Sequence, residues 1–250
     1  MNRWRAIVFD LDDTLYLERD YVMSGFRAVA AWAEPHLKIP REQGFDELKK
    51  LFEQGARGTT FDQWLSAHDL FDPGLVQRLV ALYREHEPSI APFDGVAPLL
   101  RSLHETCCLG LLTDGLVAVQ RRKLAALGLA EHFDVVVFSD EWGRDAWKPS
   151  PIPFNIVLER LQASGREVVY VGDNPQKDFS GARRVGMTTV RVRHPEGLYA
   201  QMEPLSPDHA PDLEITHVAA LKEICAPCPS ARAKQGVEAP RSVMCCDEGS

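Results

Sequence analysis

The feature that most constrains this chain is the alternation of short apolar runs with stretches of helical period over its second half. Asp94 is placed to cap a helix running through Leu103. Cys108–Leu112 then reads as a strand, Leu116–Leu127 as a helix, Val135–Phe138 as a strand and Pro151–Leu161 as a helix. Val168–Val171 reads as a strand, Lys177–Val185 as a helix and Thr188–Val192 as a strand. Apolar runs of this length, separated by amphipathic helices, predict a parallel sheet covered by helices on both faces. Such an α/β, doubly wound, Rossmann-like core binds its ligands outside the carboxyl ends of the strands. An earlier apolar run, Arg5–Phe9, supplies one more buried strand, and it ends in acidic residues. Between that strand and the alternating half, from about Asp20 to Leu82, apolar residues recur only at helical spacing: Val22, Phe26, Val29, Ala30 and Ala33 in one segment, Leu75, Leu79, Val80 and Tyr83 in another. The expectation is a core of residues 1–16 and 91–222 with an all-helical insertion of residues 17–90. The remainder, 223–250, lacks periodicity and reads as a flexible tail.

Composition narrows the function. With 45% hydrophobic and 26% charged residues in 250, the chain is of ordinary globular type. Its 28 Lys and Arg face 36 Asp and Glu, a formal charge of −8, which argues against a nucleic-acid surface that works by neutralising phosphates. An anionic ligand therefore needs a local positive site. The run Ala6–Phe9 is too short for a signal-peptide core, and no segment approaches the roughly 20 apolar residues of a membrane span, so no membrane partner is expected and the default compartment is the cytoplasm. Cys107 and Cys108 adjoin in an apolar stretch, while Cys225, Cys228, Cys245 and Cys246 cluster near the end. Cys245-Cys246, with no intervening residue, is an awkward pair for tetrahedral zinc, so unpaired tail thiols are the reading preferred.

Four signals fall at or just beyond strand ends. In Asp10-Leu11-Asp12-Asp13-Thr14 two carboxylates two residues apart point the same way if the chain stays extended. Such a pair can divide labour, one as nucleophile and metal ligand, the other, its pKa raised by the first, as general acid and base. A capped turn explains the same residues. In Leu112-Thr113-Asp114-Gly115 a strand runs into a helix start, where free N–H groups and the Thr113 hydroxyl suit a phosphate oxygen, or where Thr merely caps. Lys148, in Lys148-Pro149-Ser150-Pro151, can neutralise a transferring phosphoryl group. In Gly172-Asp173-Asn174-Pro175-Gln176-Lys177-Asp178, either Asp173 or Asp178 can complete an all-oxygen Mg²⁺ site with Asp10.

With all four in one order along one predicted sheet edge, residues 5–193 resemble the haloacid dehalogenase superfamily, whose pattern is DxDx[TV], a Ser or Thr after the second strand, a Lys, and an acidic pair after the fourth. The helical insertion matches the type-one cap of one subfamily. The resemblance implies that Asp10 attacks phosphorus to form an aspartyl-phosphate while Asp12 protonates the leaving oxygen and then activates water. It implies a Mg²⁺ cofactor held by the Asp10 carboxylate, the Asp12 carbonyl and Asp173. Thr113, the Asp114 N–H and Lys148 would bind the phosphoryl oxygens, with Asp178 in support. Members that remove halide lack a carboxylate two positions after the nucleophile, so Asp12 points to phosphate chemistry. Asp114 departs from the Asn common in related enzymes, and its carboxylate must turn away from a phosphate.

The expected function is that of a phosphatase on a small phosphorylated metabolite, for which a sugar phosphate, a nucleoside monophosphate or phosphoglycolate all fit. A phosphomutase on the same machinery, a dehalogenase and a non-catalytic Mg²⁺- or phosphate-binding module are the alternatives. Arg19, Tyr21, Arg57 and Thr59 are candidates to face the substrate from the insertion, whereas Trp32 and Trp64 read as core. The sequence is silent on oligomeric state.

Overall fold

The structure is a computed structural model and describes residues 4–224. The expected tail lies outside the described residues, apart from Glu223 and Ile224, which belong to a terminal helical turn. The tail cysteines Cys225, Cys228, Cys245 and Cys246 lie outside them as well.

Strand β1 (Ala6–Phe9) is followed by four helices, α1 (Glu18–Leu37), α2 (Arg41–Glu53), α3 (Thr60–Ala67) and α4 (Pro73–Glu85). The chain then runs α5 (Val96–His104), β2 (Cys108–Thr113), α6 (Val117–Ala126), β3 (Val135–Phe138), α7 (Ile152–Leu161) and β4 (Val168–Gly172). It closes with α8 (Phe179–Arg184), β5 (Thr188–Val192), β6 (Leu213–Ile215) and α9 (Leu221–Ile224). The sheet order is β3-β2-β1-β4-β5-β6, and every pairing is parallel.

Side-chain alternation along each strand divides the core into two layers. Ile7 and Phe9 of β1 join Leu109, Leu111, Val169 and Val171 beneath α5, whose Val96, Leu99, Leu100 and Leu103 are buried on the same layer. Ala6 and Val8 join Val168 and Tyr170 beneath α7 through Phe154, Val157 and Leu161. The four-helix insertion buries a core of its own from Phe26 and Val29 of α1, Leu48 and Phe52 of α2, Trp64 and Leu65 of α3 and Leu79 of α4. Trp64 is fully buried and donates its indole N–H to Glu47 (2.8 Å), while Trp32 stacks on His36. Both are packing residues.

Three local expectations shift. The N-cap of α5 is Gly95, not Asp94, because the chain enters in a left-handed conformation (φ 82°) that glycine adopts without strain. The last helix of the alternating pattern begins at Phe179 rather than Lys177, since residues 174–177 form a turn with the Lys177 and Asp178 N–H groups on the Asn174 carbonyl. Strand β6 was not expected. Its three residues carry no apolar run, and it is held at the sheet edge where Asp212 accepts from the Thr189 N–H (2.8 Å) and hydroxyl (2.9 Å).

What positions the site is the register around β1. Phe9 pairs with Leu111 on one side and Val171 on the other, so the end of β1 lies between β2 and β4 at one edge of the sheet, with β4 running one residue and β2 two residues further. The order reverses at β1, between β2 and β4, the switch point at which such sheets open a crevice.

Candidate active site

Asp10 is the first residue beyond β1, and its N–H still donates to Val171 (2.8 Å), which fixes it against the end of β4. Its Oδ1 lies 2.9 Å from Lys148 Nζ, and Lys148 Nζ also donates to Asp178 Oδ1 (2.8 Å) and to the Tyr170 hydroxyl (2.8 Å). All four side chains are buried. Burial alone would push the Lys148 ammonium down, but Asp10 and Asp178 outweigh it and hold it above the ordinary lysine value. Burial likewise pushes Asp178 up, and the charges of Lys148 and Lys177 bring it below the usual carboxylate range. Asp178 Oδ2 accepts from the N–H groups of Asp173 (3.1 Å) and Asn174 (2.8 Å), so this carboxylate shapes the loop after β4 as well as the lysine. Gly172 is needed for that approach, since a Cβ there would lie 2.6 Å from Asp178 Oδ2.

Asp10, Asp173 and Asp178 bring carboxylate oxygens within 4.8 Å of one another. Asp178 is already satisfied. Asp10 Oδ2 and Asp173 Oδ2 are buried without a hydrogen-bond partner among the described residues. Burial pushes Asp10 up to about 6 against the pull of Lys148, and burial with the neighbouring charges of Asp178 and Asp10 pushes Asp173 well above its ordinary range. Two acids that each present a buried oxygen without a donor and resist ionisation side by side fit a hard divalent cation, which would supply the missing positive charge. The Asp173 carbonyl is braced from behind by the buried Arg191 Nε (3.1 Å), whose guanidinium also donates to the carbonyls of Tyr199 and Met202 (2.8 Å each).

Asp12 occupies a different environment from the one its sequence position suggested. Lys123 Nζ (2.7 Å) and the Tyr16 hydroxyl both donate to its Oδ1, and Gln120 Nε2 donates to its Oδ2 (2.9 Å). Burial pushes its carboxyl up, but the Lys123 charge and the three donors prevail and hold it below the ordinary value, the opposite of the expected rise. The expectation counted only Asp10 as a neighbour, and Lys123 reverses the sign.

Thr113 is the last residue of β2, and α6 starts at Val117, so Thr113 is not a helix cap. Its hydroxyl accepts from Gln120 Nε2 (2.7 Å). The Asp114 carboxylate is engaged within the protein: Oδ1 accepts from the Ser139 hydroxyl (2.6 Å) and the Lys148 N–H (3.2 Å), and Oδ2 lies 3.9 Å from Lys177 Nζ. Gln120, Lys123, Tyr16 and Lys177 are the site residues that sequence reasoning missed. Lys177 stood inside the fourth signal, but nothing distinguished it from a solvated lysine.

Of the four candidates on the insertion, only Arg57 lines a cavity of about 320 Å³, together with Glu18, Phe26, Phe61, Tyr83 and Tyr199 among others. Arg57 is tied by its own NH1 to the carbonyls of Phe52 (2.8 Å) and Ala56 (2.9 Å) and covers the Phe52 ring. Arg19 instead pairs with Glu53 at the surface, Thr59 accepts from Gln63, and Tyr21 offers its ring face to Lys123 Nζ (4.4 Å). The cavity adjoins the first motif, because Asp13 accepts from the N–H groups of both Glu18 (2.9 Å) and Leu198 (2.8 Å).

Burial and the Asp12 charge push the Glu18 carboxyl up to about 7 from an ordinary 4.5. With the folded value above the unfolded one, the folded state holds the extra proton between them, so this group's contribution to stability falls as pH rises through that window. Glu18→Gln removes the penalty. Its melting temperature should exceed that of the wild type by a margin that widens from pH 5 to pH 8, as followed by thermal denaturation. A margin constant with pH would refute the assignment.

A profile of the haloacid dehalogenase-like hydrolase family matches residues 7–192, and the chain belongs to that family. It is 37% identical over 219 residues to a glyceraldehyde 3-phosphate phosphatase of Methanopyrus kandleri, spanning 84% of this chain and 92% of that one. It is 34% identical over 195 residues to a phosphoserine phosphatase of Thermus thermophilus, spanning 78% of this chain and 67% of that one. Among solved structures, the HAD-hydrolase YfnB of Bacillus subtilis superposes with a TM-score of 0.66 at 24% identity, over 90% of this chain and 99% of that one, a likeness of fold. The expected membership of the family, with phosphatases as relatives, therefore stands. No helix among the described residues is long and apolar enough to cross a membrane.

Proposed function

We propose that the chain is a Mg²⁺-dependent phosphatase that hydrolyses a small phosphomonoester through an aspartyl-phosphate on Asp10, in a site between the core of residues 1–16 and 91–222 and the helical cap of residues 17–90. The observation that carries this reading is the buried group of Asp10, Lys148, Asp173 and Asp178 at the sheet's switch point, with two carboxylate oxygens lacking a donor and a buried lysine against the nucleophile. Asp10, Asp173 and the Asp12 carbonyl would hold the cation, which supplies charge neutralisation for the phosphoryl group.

In the first step Asp10 attacks phosphorus, the bond from phosphorus to the ester oxygen breaks, and Asp12, entering the step in its protonated form, gives that oxygen its proton. In the second, Asp12 takes a proton from water, the water oxygen attacks phosphorus, and the bond to Asp10 breaks to release phosphate. Lys148, the Thr113 hydroxyl and the Asp114 N–H hold the phosphoryl oxygens throughout, and such transfers depend mainly on positioning and charge. Tyr170 and Asp178 fix Lys148 from behind, so only its contact with Asp10 gives way to a phosphoryl oxygen. Closure of the cap would exclude bulk water. The cavity, at the small end of ligand sites, suits a small leaving group.

The test is phosphate release from glyceraldehyde 3-phosphate, phosphoserine, phosphoglycolate, sugar phosphates and nucleoside monophosphates, with Mg²⁺ and with excess chelator. Release that needs the metal is expected from at least one compound. No release from any of them with Mg²⁺ present would overturn the proposal.

A further inference from the structure

We propose that Gln120 and Lys123, both on α6, are positioning residues for Asp12, and that Gln120 also sets the direction in which the Thr113 hydroxyl donates. The proposal rests on the reading of Asp12 as the acid–base group.

Positions three apart share one helix face, and here that face turns inward although the sequence Gln120-Arg121-Arg122-Lys123 has the composition of a solvated one. Gln120 is 2% and Lys123 4% exposed. A buried lysine is tolerated only when paired, and Lys123 has one carboxylate partner, Asp12, with the Tyr21 ring beneath its ammonium. Tyr16 completes the grip on Oδ1, and Gln120 holds Oδ2, so the carboxylate can rotate only by breaking charge-assisted hydrogen bonds.

Gln120 does more than fill space. Its amide nitrogen faces Asp12, and its two hydrogens go to Asp12 Oδ2 and to Thr113 Oγ1 (2.7 Å). The Thr113 oxygen is thereby engaged as an acceptor. Its own hydrogen has only a 3.5 Å contact with the Asp114 carbonyl, which leaves it to donate to a phosphoryl oxygen. One amide thus links the group that binds the phosphoryl to the group that moves the proton. Gly115 secures it, since a Cβ there would meet three Gln120 side-chain atoms at 3.3 Å and the backbone φ of 117° excludes most other residues.

A general acid matters most when the leaving oxygen is a poor leaving group, and this separates positioning from packing. The experiment measures kcat/KM, which stops at phosphorylation of Asp10, for p-nitrophenyl phosphate and for the alkyl phosphate hydrolysed fastest in the panel above. Lys123→Met and Gln120→Met should lower the alkyl value by about 10²-fold, the low end of the range for general acid–base catalysis, and the aryl value by about tenfold or less. Lys123→Arg should recover part of the alkyl value. Both substrates are assayed on one preparation, so a fraction of unfolded protein cancels in the ratio. Equal losses on the two substrates, or wild-type ratios in both Met variants while Asp12→Asn shows the selective loss, would overturn the proposal. A ratio that stays at the wild-type value in Asp12→Asn itself would instead remove Asp12 as the acid, and the positioning role with it.

Discussion

Asp10→Asn should release no measurable phosphate from any substrate while melting close to the wild type. The substitution keeps shape and one acceptor for Lys148, whose second anchor, Asp178, is untouched at 2.8 Å. What it removes is the nucleophile, for a neutral amide oxygen does not form the covalent bond on which the second step depends. A loss of at least about 10⁴-fold in kcat is expected, in line with the removal of nucleophiles elsewhere. Stability should not suffer, because burial pushes the Asp10 carboxyl up to about 6 and the native protein already holds that charge at a cost near neutral pH. The decisive reading is the phosphoenzyme. Acid-quenched wild type should carry labelled phosphate early in turnover, and Asp10→Asn should carry none. Turnover near the wild-type rate in the variant would remove Asp10 as the nucleophile.

The strands β1 to β5 and the helices between them were legible because each buried strand is a run of Val, Ile, Leu or Phe ended by polar residues, a pattern that a sheet covered on both faces imposes. The acidic residues were legible for the same reason: parallel register sets Asp10 beside Gly172, one residue before Asp173, so two motifs 163 positions apart in Asp10 and Asp173 needed only the strand assignments to be brought together. What stayed hidden depends on side chains crossing that framework. Gln120 and Lys123 reach Asp12 from 108 and 111 positions away, and on α6 they are indistinguishable in type from their exposed neighbours Arg121 and Arg122. The direction of the Asp12 shift depends on that lysine, which no local pattern around Asp12 announces. Asp13, which appeared only as part of a turn, proves to be the buried tie between the first motif, α1 and the loop at Leu198. Strand β6 and the Gly95 entry to α5 were equally hidden, since both follow from backbone hydrogen bonding and dihedral angles rather than from hydrophobic period.

Lys148→Met should abolish turnover and also destabilise the protein, and the two losses have separable causes. Lys148 is the only cation within bonding distance of both Asp10 and Asp178 among the described residues, at 2.9 and 2.8 Å, with no exposed side-chain surface. Its removal leaves two buried carboxylates facing one another, a change of the kind that costs about 3–5 kcal/mol. For a chain of this size that corresponds to a fall of roughly 10 °C in melting temperature. The sign with pH follows from the charge removed. Without the ammonium the Asp10 carboxyl rises further and Asp178 loses the charge that holds it low, so the deficit should be largest near pH 8 and should shrink toward pH 5 as protonation relieves the repulsion. Adding Asp178→Asn takes away one of the two charges while keeping an acceptor for the Asp173 and Asn174 N–H groups. The double variant should therefore recover much of the stability at pH 8 and none of the activity, because the ammonium that holds the phosphoryl oxygens beside Asp10 is still missing. Thermal denaturation at the two pH values and phosphate release on the same preparations measure both halves. A double variant as unstable as Lys148→Met alone would show that the lysine stabilises the fold by packing rather than by charge, and recovered turnover would remove it from the phosphoryl site.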